Sequence, residues 1–125
     1  DHTTSMQGLS PMLLELLLED KTIEEVIEIV RSEDRENPKY DISEVALTNL
    51  GYNLIEDEQL NNAKKIFELG LGFYPNAYNL YDSYGECLFM LKEYENATKA
   101  FKKALDLNPD NANSKRMLEQ LKTKD

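Results

Sequence analysis

The sequence predicts an all-α fold of antiparallel helical hairpins stacked side by side, closed by a C-terminal capping helix. Three observations predict it. No stretch alternates apolar and polar residues for long, whereas the helical period recurs along the chain. Eight positions recur at one fixed offset of 34 residues: Leu47, Leu50, Gly51, Leu54, Ala63, Phe67, Gly70 and Pro75 stand over Tyr81, Tyr84, Gly85, Leu88, Ala97, Phe101, Ala104 and Pro109. With 125 residues, 41% hydrophobic and 30% charged, the chain is one domain's length and can bury a core without disulfides or metal.

Taken in order, residues 1–9 read as a flexible tail. Ser10 and Pro11 look like an N-cap and a proline at the first helical position. Residues 12–19 then form a short helix, apolar nearly all round. Thr22 and Glu25 make a capping-box pair that opens a second helix. Its apolar face is Ile23, Val26, Ile27 and Val30, with Glu24, Glu25 and Glu28 in water. Residues 32–39 are a charged linker ending in Asn37 and Pro38.

Two helical hairpins follow, 44–57 with 59–72 and 78–91 with 94–107, and a last helix over 112–122. Asp41 with Glu44 can cap the first of these, and Asn111 the last. Gly51 and Gly85 fall inside helices, where glycine costs about 1 kcal/mol relative to alanine. That cost makes sense where a second helix crosses closely, with Ala63 and Ala97 as its small partners. Phe67 and Phe101 are expected to fill the space between one hairpin and the next. Pro75 and Pro109 stop the second helix of each unit.

This pattern resembles the tetratricopeptide repeat. Its second unit carries the signature from Tyr81 to Pro109, and the first is looser, with Leu47 at the large position and Gly70 where alanine is usual. The resemblance implies a short right-handed solenoid: a degenerate N-terminal hairpin and linker over 10–43, repeats over 44–77 and 78–111, and a cap over 112–125. Lys115 and Glu119 stand in the cap where the large residue and the glycine would be, which suits a solvated end. Residues 39–41, 49–52 and 81–86 also give the chain a likeness to the tail of certain bacterial exported hydrolases, of serine β-lactamase-like or α/β-hydrolase type. The chain opens at Asp1 and not at methionine, which is expected of a piece of something longer.

Charge is unevenly spread. The total is −10, but residues 1–95 hold seven basic and twenty acidic residues, and residues 96–125 hold seven basic and four acidic. Such an acidic chain repels phosphate backbones, so no nucleic-acid partner is expected. The basic end against an acidic body reads either as two solvated helix faces or as a means of stacking molecules head to tail. No apolar run approaches the ~20 residues of a membrane span, and 12–18 lacks the basic start and cleavage site of a signal peptide.

No catalytic arrangement is present in the sequence. No serine sits in a Gly-x-Ser-x-Gly elbow or has lysine three residues on, and the one histidine, His2, lies in the tail. Glu56, Asp57 and Glu58 lack the alternate-ligand spacing of a calcium loop and read as a solvated turn. Gly70 and Gly72 precede Pro75 and follow no strand, so they are not a phosphate loop. Cys87 falls within a helix, with no basic group placed to lower its pKa, and reads as a packing residue. The chain is therefore expected to be no enzyme and to need no cofactor or metal.

Two functions remain. In the first, the chain binds a protein or peptide segment in the concave groove lined by the first helix of each unit. By register that groove presents Val45, Thr48, Tyr52 and Ile55, then Asn79, Asp82, Glu86, Phe89 and Met90, then Asn113, Arg116 and Gln120. The Lys/Asn/Arg clamp by which chaperone-binding members of the family hold a C-terminal carboxylate is missing, because Thr48, Tyr52, Asp82 and Glu86 occupy that wall. In the second, the chain docks onto a parent hydrolase domain or dimerises it, through Met12, Leu13, Leu16 and Leu17. The hydrolase likeness implies an exported or periplasmic protein; without it, a cytoplasmic one is expected.

Overall fold

The computed structural model describes residues 11–124. The tail over 1–9 and the Ser10 cap lie outside the described residues. A 3₁₀ helix, Leu14–Glu19, is followed by α1 (Ile23–Ser32), α2 (Glu44–Glu56), α3 (Leu60–Phe73), α4 (Tyr78–Met90), α5 (Tyr94–Leu107) and α6 (Ala112–Leu121). Each α-helix starts and stops within two residues of its expected bounds. Helices α2 and α3 form one hairpin and α4 and α5 the next; α3 packs on α4, and α5 on α6. Contacts between elements therefore run almost entirely between neighbours, as in a solenoid.

The repeat extends into the backbone of the turns. Both hairpins close with the same pair of bonds: Glu58 N–H donates to Ile55 O and Gln59 N–H to Leu54 O (2.9 and 2.8 Å), and Lys92 N–H donates to Phe89 O and Glu93 N–H to Leu88 O (both 2.9 Å). This is the Schellman pattern, which needs a left-handed residue just past the helix. Glu58 and Lys92 fill that position with φ of 62° and 65°. The second helix of each unit also ends alike, with Tyr74 N–H on Gly70 O and Asn108 N–H on Ala104 O, both at 2.8 Å.

The two helical glycines do meet a close neighbour, but a different one from that expected. A β-carbon on Gly51 would lie 2.4 Å from Phe67 Cε1 and Cζ, and one on Gly85 2.9 Å from the same atoms of Phe101. Each ring thus sits on the glycine of its own hairpin, and Ala63 and Ala97 are fully buried. Glycine between the hairpins has its own place: a β-carbon on Gly70 would reach Leu80 Cδ1 at 3.2 Å, where α4 crosses α3.

The N-terminal segment differs from the single apolar helix the sequence suggests. Met12 is not helical; its N–H donates to Lys39 O at 2.9 Å, and its carbonyl accepts from Asp41 N–H at 2.8 Å. The helix that follows winds with three residues per turn, which sends i and i+3 to the same side. Leu14 and Leu17 therefore face the core, while Leu13 and Leu16 face out. Leu17 belongs to the core and not to an exposed patch, which corrects its assignment to a docking surface.

The charged linker is also held. Tyr40 N–H donates to Glu33 Oε1 at 2.8 Å, and Tyr74 O–H donates to Ile42 O at 2.7 Å. Arg35 lies 4.5 Å from the Phe73 ring centre. At α1 the Thr22–Glu25 capping box forms in both directions. At α2 the cap is Ser43, which accepts from Ala46 N–H at 3.2 Å; Asp41 stands one step back and accepts from Ser43 N–H. Asp41 loses that role because helix α2 begins at Glu44, so the residue just before it is the cap. Asn111 caps α6, accepting from Ser114 N–H.

The core forms two clusters bridged by Tyr84. Leu14, Ile23, Val26, Val30 and Ile42 pack into the same cluster as Leu47, Leu50, Leu54, Phe67 and Leu80. A second cluster, Leu88, Ala97, Phe101, Met117 and Leu121, carries α6, and Tyr84 packs against both. Cys87 is buried, as expected of a packing residue, and its thiol donates to Leu60 O at 3.4 Å.

Candidate functional site

Helices α2 and α4 lie side by side, and a cleft of about 290 Å³ opens between them. Its lining includes Val45, Thr48 and Tyr52 from α2 and Asn79, Asp82 and Ser83 from α4. Helical spacing puts Val45, Thr48 and Tyr52 on one side of α2, one turn apart.

The polar groups of this wall are joined across helices. Tyr52 O–H donates to Ser83 Oγ at 2.8 Å, tying α2 to α4. Asn113 Nδ2 donates to both oxygens of Asp82 (3.0 and 2.9 Å) and to Glu86 Oε2 (2.6 Å). Ser114 O–H donates to Asp82 Oδ1 at 2.7 Å, tying α4 to α6. Arg116 in turn donates to Asn113 Oδ1. Thr48 turns its hydroxyl back to Glu44 O at 2.8 Å.

Burial sets the electrostatics of the wall. It pushes the Glu86 carboxyl above the usual carboxylate range, with Asp82 adding to the rise and Asn113 and Arg116 opposing it. Burial also raises the Tyr52 phenol; the Ser83 hydrogen bond opposes this, while Glu86 and Asp82 reinforce it. The wall is therefore a fixed acidic surface with a neutral phenol in its floor.

The structure brings together Thr48, Tyr52, Asn79 and Asp82 in the cleft, and joins Glu86 and Arg116 to it through Asn113. It does not bring the other three along. Ile55 packs on the first core cluster. Phe89 turns to Tyr94, with ring centres 5.4 Å apart, and Lys124 lies 5.8 Å from both rings. Met90 is exposed at the end of α4, away from the lining of the cleft. Even Tyr52 is partly structural, with its ring edge-on to Phe67 at 5.9 Å. Register alone could not find Ser83, because its function is to accept from a tyrosine one repeat earlier. Its sequence signal is a small polar residue at a buried position.

Among the described residues no helix is long and apolar enough to cross a membrane. Residues 85–111 match the family profile of the tetratricopeptide repeat. No curated protein sequence matches the chain. Solved structures do. The first TPR of Spaghetti (RPAP3) bound to the HSP90 peptide SRMEEVD has a TM-score of 0.64 at 18% identity, over 87% of this chain and 84% of the other. The second TPR domain of human RPAP3, in complex with the HSP70 peptide SGPTIEEVD, has a TM-score of 0.64 at 16% identity, over 89% and 90%. The Sgt2 TPR domain from Aspergillus fumigatus has a TM-score of 0.62 at 18% identity, over 87% and 72%. None of these three is a hydrolase tail, so that likeness rests on the sequence alone. Residues 85–111 thus match a tetratricopeptide repeat, and the chain has the fold of tetratricopeptide-repeat domains.

Proposed function

We propose that the chain is a non-catalytic interaction module that binds a basic segment with an apolar anchor in the cleft between α2 and α4. The observation that carries the reading is the wall itself, in which Asp82 and Glu86 are held in place by Asn113 and Ser114 beside Tyr52. Carboxylates already oriented lose little freedom when a ligand arrives. The aromatic floor supplies contact area at low entropy cost.

Two of the similar structures hold peptides ending in Glu-Glu-Val-Asp. That precedent supports a peptide in the groove of this fold. It does not support the same peptide here, because an acidic tail would face Asp82 and Glu86 at close range.

Titration of labelled peptides decides the matter. A Lys- or Arg-bearing peptide with one apolar anchor should bind the wild type, weaken with salt, and bind the Tyr52→Ala, Glu86→Lys variant at least tenfold less. Equal binding to both proteins, or a preference for acidic tails, would remove this reading.

A further inference from the structure

Among the described residues, each end of the helical stack presents an apolar surface, and the two surfaces are opposite in charge. At the N-terminal end Met12, Leu13 and Leu16 are 41%, 60% and 51% exposed, beside the exposed Glu19 and Asp20. This edge packs on α1 and α2, the first helices of the stack. At the other end a cleft of about 380 Å³ lies between α5 and α6, with Leu105, Leu118 and Leu121 in it and Lys102, Lys115 and Lys122 around it. Lys122 is engaged by Glu119 at 2.9 Å, while Lys102 and Lys115 make no ion pair among the described residues.

We infer that the occupant of the C-terminal cleft is the N-terminal edge of a second copy of this chain. Leu13 and Leu16 of one copy enter between α5 and α6 of the next, and Glu19 and Asp20 face Lys102 and Lys115. Charge complementarity selects this occupant: residues 1–95 carry seven basic and twenty acidic residues, residues 96–125 seven and four. Like charges disfavour pairing two acidic N-terminal edges or two basic clefts. The apolar side chains supply the burial, since a leucine moved from water into an apolar cleft is the ordinary driving force of association.

The two surfaces differ and sit at opposite ends of the stack, so the contact is heterologous. It leaves one free head and one free tail after each addition and extends the stack, where an isologous contact would stop at a dimer.

Sedimentation equilibrium on the 125-residue chain tests this. The wild-type mass should rise above 14.4 kDa with concentration and fall back as salt screens the charges. Two variants at exposed positions block one end each: Leu13→Gln with Leu16→Gln at the head, and Lys102→Glu with Lys115→Glu at the tail. Each alone should remain monomeric with unchanged helix content by circular dichroism. Mixed in equal amounts they should give a heterodimer that grows no further, because one good head meets one good tail. A wild type that stays monomeric at millimolar concentration overturns the proposal, and this series needs no variant. So does a tail-blocked variant that associates like wild type, which would mean an isologous contact through the N-terminal edge. A mixture that yields no heterodimer while the wild type associates overturns it as well.

Discussion

The ring of Phe67 lies against Gly51 so closely that a β-carbon there would fall 2.4 Å from Cε1 and Cζ. Real β-carbons do not approach carbon atoms at that distance, and Phe67 is fully buried, so the ring has nowhere to go. Gly85 stands in the same relation to Phe101 at 2.9 Å, while Gly72 has nothing within 4 Å. Alanine at these sites should therefore rank in that order. Gly51→Ala should cost about 1–3 kcal/mol through overpacking. Gly85→Ala should cost less, because part of the clash is offset by better helix propensity. Gly72→Ala should be neutral or stabilise by up to about 1 kcal/mol. Urea midpoints of the three variants give the ranking directly, and equal midpoints for Gly51→Ala and Gly72→Ala would contradict it.

The paired turns predict the opposite response to glycine. Glu58 and Lys92 hold left-handed backbone, which costs an L-residue roughly 1–2 kcal/mol. Both side chains are exposed. Glu58→Gly and Lys92→Gly should each raise stability, by up to about 1 kcal/mol after the added freedom of the unfolded chain is subtracted. Thermal melts of the two variants should both shift upward.

Ser114 is fully buried, and Asp82 receives its hydroxyl hydrogen. Ser114→Ala removes a charge-assisted bond and should cost about 1.5–3 kcal/mol. The loss should be local first. Amide exchange in α6 should quicken before exchange in α2 and α3 changes, because α6 is the last helix of the stack and is held by α5 and by the Asp82 and Glu86 bonds to α4 that this variant weakens.

Glu86 gives a pH signature. Burial, then Asp82, raise its pKa in the folded state. A raised carboxyl binds its proton more tightly folded than unfolded. Its favourable contribution is therefore full below the unfolded pKa and is lost as pH rises through the folded one. Glu86→Gln keeps an oxygen acceptor for Asn113 and removes the charge. The variant should melt higher than wild type near pH 7, and the difference should vanish near about pH 3, below the ordinary carboxylate range. A difference of the same size at both values would show that ionisation is not its cause.

Cys87 should report opening of the second hairpin. Burial pushes its thiol up to about 11, with Lys64 opposing and Glu93 and Glu68 adding to the rise. The thiolate is the reactive form, so alkylation of the folded chain at neutral pH should be slow. Its rate should climb with urea in step with unfolding; rapid labelling of the native chain would contradict the buried position.

The repeated core was legible in the sequence because the same side chains solve the same packing problem every 34 residues. Periodicity exposed Leu50, Leu54, Leu88 and Phe101, and the hairpins fell where it put them. The capping box at Thr22 was legible for a similar reason, since both partners lie within one turn. The left-handed turns were not legible, because their residues are glutamate and lysine. Nothing in either side chain asks for that backbone; the stacked hairpins impose it.

What the sequence determined by itself was therefore the helices, their order, and which side chains are shared between the two units. These depend on contacts a few residues apart or on spacing that repeats. The tertiary structure decided what each groove position faces. Phe89 sits on the same helix as Asp82 and Glu86, yet it packs on Tyr94 while they are held by Asn113. The tertiary structure also decided that Leu17 is core and Leu16 is surface. The physical reason is common to both. A helix in sequence defines only a set of directions around an axis. Which of them points at a neighbour, at solvent or into a cleft is set by the angle at which the next helix packs and by the pitch of the local winding. Those follow from the summed fit of many side chains and not from any one of them.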